Sequence, residues 1–484
     1  MVDQELLTNS SRRRLLSWTG ELLRLCRSMY QEDTIAAVAT PPGEGGLAVV
    51  RISGPDAEKI ALQIFNRRQS RNGSLRSHTL YHGEITDPKE GQPIDEVLLT
   101  LMRKPRSYTG EDVVEVHCHG GNFLVREILA TILNQGARQA EPGEFTKRAF
   151  LNGRVDLAQA EAVLDLIRAK TAKGAQLALN QASGELSKHI GALREELLDI
   201  MVQVEASIDF PEEEIELLQR HHVIEKIDSL INKISGIAAT YEWGRLFREG
   251  AKVCICGRPN VGKSSLLNAL LGTNRVIVTA IPGTTRDVIE ESLTLDGLPI
   301  VIWDTAGIRE TQDEIEQAGV ELSRRHLEKA DAVVLVIDGS VPLTAEDRTL
   351  LQIAKSKKAL IAVNKCDLPP NLEMEQLVTQ ITPTLATSAK TGSGIEALKK
   401  SLRELILGCA IEPSVTIANV RHRSELLRSA TGLTQAAQTL RQGLPPEMAA
   451  IDLNDARQAL EEIIGLVSSE DILERIFKEF CIGK

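Results

Sequence analysis

Apolar positions fall into different textures along the chain, and each texture predicts a different kind of element. From Asp33 to about Ala149, short runs alternate apolar and polar residues: TIAAVAT, GLAVVRISG, DEVLLTLM and DVVEVHCH, separated by the turn-forming stretches TPPGEGG, SGPD and SYTGED. A period of two turns one side of each run toward a core, so these read as strands, with helices at about 55–66 and 122–135. After AFLNGR the stretch from VDLAQAEAVLDLI to DIMVQVEASI is rich in Ala, Leu, Glu and Gln, with apolar residues at helical spacing. It predicts two or more long helices ending near DFPEEE. From Lys252 to about Gly408 strands alternate with helices, the pattern of a parallel α/β sheet. Residues 411–484 return to helical spacing, interrupted by GLPPEM. Helical texture on both sides of the α/β block reads as insertion of that block into one helical domain.

At 484 residues the chain exceeds one hydrophobic core, and domains of roughly 100 to 200 residues suggest about three. The expected division is an extension at 1–32, an α+β domain at 33–150, a first helical part at 151–249, an α/β domain at 250–409 and a second helical part at 410–484. With 56 basic and 67 acidic residues the net charge is -11, which argues against nonspecific attraction to nucleic acid over the whole surface. Seven cysteines at 26, 118, 254, 256, 366, 409 and 481 form no dense framework, as expected in a reducing cytoplasm. No apolar run approaches the roughly 20 residues of a membrane span. The basic, amphipathic SRRRLLSWTGELLRLCRS reads as a transit-type segment, a surface helix or an extension before Met29; an extension without function is the reading preferred.

KVCICGRPNVGKSS carries the chemistry of the α/β block. A buried strand runs into G-x-x-x-x-G-K-S from Gly257 to Ser264, whose backbone N–H groups can face a phosphate, with Lys263 as counter-charge and Ser264 as a magnesium ligand. Downstream, Thr285 in PGTTRD is a second magnesium candidate, and VIWDTAG places Asp304 at a strand end with Gly307 able to donate to a γ-phosphate. In AVNKCD, Asp367 suits the two N–H donors of a guanine edge, with Asn364 and Lys365 flanking; SAK at 388–390 adds a backbone contact. Five such elements in order, each after a strand, specify a guanine nucleotide. Ile308 stands where many regulatory GTPases carry a water-orienting glutamine, so water must be positioned by another group. Asn260 has two readings, a ligand to a monovalent cation or a loop-stabilising hydrogen bond. Cys254 and Cys256 read as core rather than metal ligands. Glu115, His117 and His119 share a strand face, as pocket lining or, less readily, a metal trio.

TPPGEGGLAVVRISG, SYTGEDVVEVHCHGG, EPGEFTKRAFLNGRVDLAQAEAVLDLI, the GTPase block and the terminal FCIGK together resemble the MnmE (TrmE) family of tRNA uridine-modifying GTPases over about Asp33 to Lys484. The resemblance implies a multidomain fold: an N-terminal α+β folate-binding domain that dimerises, and an all-α helical domain interrupted by an inserted α/β P-loop G domain. It implies a cytoplasmic homodimer that hydrolyses GTP and, in a heterotetramer with MnmG (GidA), adds a carboxymethylaminomethyl or aminomethyl group to carbon 5 of the wobble uridine of certain tRNAs. The one-carbon donor would be 5-formyl- or 5,10-methylene-tetrahydrofolate. Flavin and nicotinamide chemistry would belong to the partner, since this chain has no G-x-G-x-x-G fingerprint. By the same match GTP contacts are expected at Asn260, Val261, Gly262, Lys263, Ser264 and Ser265; at Thr279, Ala280, Ile281, Pro282, Gly283, Thr284 and Thr285; at Asp304, Thr305, Ala306 and Gly307; and at Asn364, Lys365, Asp367, Ser388, Ala389 and Lys390. Mg2+ falls to Ser264 and Thr285, and K+ to Asn260, Thr279, Ile281 and Thr284, with G domains meeting across the dimer. Glu316 is expected to orient the attacking water indirectly.

The folate pocket carries over as Arg51, Glu115, Arg154 and Lys484. Members of the family often have lysine at the position of Arg154. ILERIFKEF before the terminus reads as packed, and FCIGK fits a prenylation box poorly. The resemblance places Cys481 beside the folate, as nucleophile toward the uracil ring or as general acid; a structural thiol is the other reading. A ribosome-assembly switch, similar in the G domain alone, is the alternative function. The N-terminal block and FCIGK argue against it.

Overall fold

Period-two alternation in the first block produces a seven-stranded sheet in the computed structural model, which describes residues 33–67, 75–209, 216–272, 291–304, 329–371, 383–408, 413 and 415–484. Its strands are β1 (Ile35–Val38), β2 (Gly45–Ser53), β3 (Phe65–Arg67), β4 (Thr79–Thr86), β5 (Pro93–Met102), β6 (Val113–Gly120) and β7 (Arg138–Gln139). They lie in the order β3-β4-β5-β6-β2-β1-β7. All neighbours are antiparallel except β1 and β7. Val50 and Ile52 of β2 and Val114 and Val116 of β6 point into a core closed by α1 (Ala57–Ile64) and α2 (Asn122–Asn134). The intervening residues therefore point to the opposite face, where Arg51 and Glu115 stand directly across from one another.

Helices follow: α3 (Glu144–Leu151), α4 (Leu157–Arg168), α5 (Ala172–Ala182), α6 (Glu185–Asp209), α7 (Glu216–Ala239) and α8 (Tyr241–Glu249). The α/β block then supplies β8 (Ala251–Cys256), α9 (Lys263–Leu271), β9 (Glu291–Leu295), β10 (Leu298–Asp304), β11 (Ala332–Asp338), α10 (Ala345–Ala354), β12 (Ala359–Asn364), β13 (Thr384–Ala386) and α11 (Ile395–Leu407). The sheet order is β13-β12-β11-β8-β10-β9, parallel except where β9 pairs β10. β11 and β12 are buried along their whole length, which is why they read as unbroken apolar runs. The carboxyl ends of the parallel strands share one edge, where loops bind ligands in such sheets. The chain closes with α12 (Val420–Arg441), α13 (Pro446–Ile464) and α14 (Glu470–Lys478).

The described residues divide into two compact units: those up to Leu164 with Asn180–Ser235 and Ser424–Lys484, and Asp165–Leu179 with Gly236–Arg423. The expected class holds: an α+β sheet domain, a helical domain and an α/β domain inserted between helical segments. α8 goes with the second unit because Leu246 and Phe247 are buried in its core. In the first unit, α14 is amphipathic for a reason: its Leu473 and Phe477, with Phe480 just beyond its end, are buried against Phe150, Leu157 and Leu164. α6 and α13 are tied by Arg194, whose Nε donates to Oε1 of the fully buried Glu461 at 2.7 Å, while Arg457 Nη1 takes Oε2 at 2.5 Å. Among the described residues no helix is long and apolar enough to cross a membrane.

Candidate functional site

Two places gather the residues singled out from sequence, one in each unit. In the second, β8 ends at Cys256 and the chain turns through Gly257 (φ 152°), Asn260 (φ 62°) and Gly262 (φ 93°) into α9. Gly262 is required there by contact as well as by conformation, since a Cβ would lie 2.4 Å from Asn364 Nδ2. Lys263 opens α9 and its Nζ donates to the carbonyls of Gly257 and Arg258 at 2.8 and 3.0 Å. Ser264 and Ser265 are at the surface of the first turn. The N–H groups of that turn and the lysine make a donor set suited to phosphate.

Asn364, closing β12, reaches back: its Nδ2 donates to Val261 O at 2.9 Å and its Oδ1 accepts Ala389 N at 3.0 Å. Lys365, left-handed at φ 65°, donates to Asn260 O and to Asp338 Oδ2 at 2.9 and 2.6 Å. Asp367 accepts the Ser388 hydroxyl at 2.6 Å. That bond above all holds its carboxyl below the usual aspartate range, so it stays an acceptor for paired N–H donors. Asn260, Gly262, Lys263, Asn364, Lys365, Asp367, Ser388 and Ala389 thus meet at one edge of the sheet, with Lys390 exposed nearby in sequence. Asp304 ends β10 opposite Ile255 of β8. Thr279 to Thr285, Thr305 to Gly307, Ile308 and Glu316 lie outside the described residues, as does the extension at 1–32. Asp338 was not singled out from sequence, although an acidic residue ending the apolar run AVVLVID was the available signal. Burial raises its pKa, but Lys365 and Ser340 outweigh this and hold it low.

The other place is built on the open face of the seven-stranded sheet. Arg51 forks onto Glu115 Oε1, with Nε at 2.9 Å and Nη2 at 2.8 Å, and its Nη1 donates to Gly483 O at 3.2 Å. Glu115, expected to receive ligand N–H donors, is therefore already engaged through one oxygen; its other lies 3.5 Å from His117 Nε2. His119 turns instead to Asp95, Nδ1 to Oδ1 at 2.7 Å, so the three side chains of β6 do not converge.

The C-terminal segment docks beside them. Gly143 N donates to Cys481 O at 3.4 Å and Phe145 N to Lys484 O at 3.2 Å, at the start of α3. Gly483 adopts φ 96°, and a Cβ there would lie 2.1 Å from Val38 O. Cys481 is an exposed thiol. Arg154 Nη1 donates to Tyr108 O. Lys484 is half-buried, and its ammonium pKa is lowered by burial first and then by Arg51. Tyr108, which the sequence presented only as part of the turn SYTGED, stands among all three cations. Below this site lies a network with Arg148 at its centre, 1% exposed. Arg148 Nη2 pairs Asp33 at 2.5 Å and Glu144 at 3.0 Å, and Nη1 meets Glu111 at 3.2 Å.

Cys254 and Cys256 are buried free thiols, and desolvation pushes Cys256 up to about 12. Among the described residues no group of three or more His, Cys, Asp or Glu side chains is placed to hold a metal.

Comparison with known proteins bears on the family of the chain. The model for "GTP-binding protein TrmE N-terminus" matches residues 34–154, and that for "MnmE helical domain" matches residues 157–481. A protein of Natranaerobius thermophilus is 46% identical over 458 residues, covering 94% of this chain and 100% of its own. One of Syntrophotalea carbinolica is 48% identical over 460 residues, with the same coverages; both are named tRNA modification GTPase MnmE. Among solved structures, the G domain of the T. maritima FeoB iron transporter is 30% identical over 32% of this chain and 98% of its own, with a TM-score of 0.26. A point variant of Aquifex aeolicus Era bound to GDP and AlF4- is 28% identical over 37% of this chain and 66% of its own, with a TM-score of 0.27. By its sheet domain, its interrupted helical domain and its identity over nearly all of its length to proteins of that name, the chain belongs to the MnmE (TrmE) family.

Proposed function

We propose that this chain hydrolyses GTP at the carboxyl edge of its parallel sheet and takes part, with MnmG and as a homodimer in the cytoplasm, in modifying the wobble uridine of certain tRNAs. A carboxymethylaminomethyl or aminomethyl group would be added to carbon 5. The observation that carries the reading is the meeting of Arg51, Glu115, Arg154 and Lys484, from four distant parts of the sequence, in a chain that also assembles a guanine-nucleotide edge. Three cations and one engaged carboxylate suit an anionic pterin–glutamate ligand better than a neutral one.

A tetrahydrofolate derivative bound there would supply the one-carbon unit. Arg154 and Lys484 would take its carboxylates, and Glu115 a pterin N–H. Cys481, on the segment docked beside Arg51, is the thiol assigned to the uracil ring. At the other edge Lys263 would face the β- and γ-phosphates, Asp367 the guanine, and Ser264 a magnesium ion that neutralises phosphate charge. Asn260, with Thr279, Ile281 and Thr284, would hold potassium, which supplies positive charge where other GTPases use an arginine. Thr285 and Glu316 would complete the hydrolytic site.

Calorimetric titration with 5-formyltetrahydrofolate tests this, with Arg51→Ala as control. Saturable binding that the control loses is expected. Absence of binding in a folded protein that hydrolyses GTP would leave a GTPase switch and refute the one-carbon role.

A further inference from the structure

Three cations surround one aromatic ring in the first unit. The guanidinium carbons of Arg51 and Arg154 lie 5.2 and 5.4 Å from the centroid of Tyr108, and the Lys484 ammonium lies 5.8 Å from it. Arg51 repels the Lys484 ammonium, and the pocket's carboxylate is committed: Glu115 is forked by Arg51. Among the described residues neither Arg154 nor Lys484 has a carboxylate partner within ion-pair distance. What holds them is the ring, whose negative face attracts cations within about 6 Å, together with the Tyr108 carbonyl that accepts from Arg154. The ring is itself fixed by packing against the cluster of Ile35, Ala37, Ala140 and Phe145; its hydroxyl, 2.8 Å from Oγ1 of the fully buried Thr146, adds to this.

We propose that Tyr108 is a positioning residue of this pocket: its ring gathers Arg51, Arg154 and Lys484 into one site for the carboxylates of a glutamyl-tailed pterin, and so makes the pocket select that tail. The inference rests on the folate reading above. It adds a residue to that reading and a criterion of selectivity. Without the ring, Arg154 and Lys484 would spread toward water, and a ligand would have to reassemble them against the repulsion of Arg51 on Lys484. The pterin end, which meets Glu115, would be little affected.

The test compares two ligands, 5-formyltetrahydrofolate and 5-formyltetrahydropterin, which keeps the ring system and lacks the tail. Tyr108→Leu should weaken the folate on the order of tenfold and the pterin by less than about twofold, while Tyr108→Phe, which keeps the ring, stays near the parent for both. Phenylalanines of increasing fluorination at position 108 keep the shape and drain the negative face, so folate affinity should fall stepwise even if Tyr108→Leu does not fold. Equal loss of both ligands in Tyr108→Leu, or folate affinity indifferent to fluorination, overturns the proposal. A parent protein that binds GTP but neither pterin refutes the folate reading itself, and this inference with it.

Discussion

The nucleotide edge and the Arg51 pocket are specified in opposite ways. At the nucleotide edge each functional residue follows a strand within its own short motif, and the ties between motifs stay within the inserted block: 21 residues between Asp367 and Ser388, 25 between Asn364 and Ala389, 103 between Asn364 and Val261, 105 between Lys365 and Asn260. In the pocket no motif is sufficient, and the tie between Arg51 and Gly483 spans 432 residues. Parallel sheets bring their loops to one edge by topology alone. The pocket instead needs a strand face, a turn, a helix start and a docked terminus to be right together. A locally encoded site tolerates change elsewhere in the fold, whereas a site assembled from distant segments fails with any one of its supports.

That contrast can be broken or sharpened by substitution. The largest expected effect is at Cys481: Cys481→Ser should lower wobble-uridine modification by about a thousandfold or more, the scale seen for lost nucleophiles, and leave GTP hydrolysis unchanged. Normal modification in that variant would return Cys481 to a structural thiol. Next is Arg148→Ala, which strands Asp33, Glu144 and Glu111 without their buried cation and should destabilise the first unit by about 3–5 kcal/mol, read as an earlier thermal transition with GTP binding retained below it. An unshifted transition would deny that this network supports the first unit.

The pH dependence of that transition has a definite sign. Burial raises the pKa values of Asp33 and Glu144, but hydrogen bonds and charge from Arg138 and Arg148 outweigh this and hold both below their ordinary 3.8 and 4.5. The unfolded chain then binds these protons more tightly, so their contribution is present above about pH 5 and lost as acid takes the pH below about 4. The smallest effect is at the nucleotide edge. If Asn260 holds potassium, Asn260→Ala should remove a rate difference between potassium and sodium of on the order of tenfold; undiminished potassium stimulation would assign Asn260 to the loop alone.

The same contrast explains what was legible in the sequence. β11 and β12 were plain because burial on both faces leaves nothing but apolar residues, and the turns that follow them carry their chemistry with them. The strand β4, TLYHGEIT, was not read: Gly83 breaks its alternation, and its glycine has a packing cause, because a Cβ would lie 2.4 Å from Asn66 O. Arg148 looked like any basic residue of EFTKRAFL: its i,i+4 partner Glu144 is an ordinary helix pair, and nothing local shows that Asp33 and Glu111 reach it from elsewhere. Tyr108 was hidden in a turn for the same reason. The roles of Arg51, Glu115, Arg154 and Lys484 came only from resemblance; their spacing alone names no site.

The pairing of Arg194 with Glu461 has a consequence for biosynthesis. Its members are 267 residues apart, and the whole nucleotide-binding block lies between them. At ~5–20 residues per second a ribosome needs roughly 10 to 50 seconds to travel from one to the other. During that interval α6 is already made while its partner α13 does not yet exist, and the inserted block emerges complete. The nascent chain must therefore keep the apolar side of α6 from other contacts until its final segment arrives, so the guest domain has the opportunity to fold before its host.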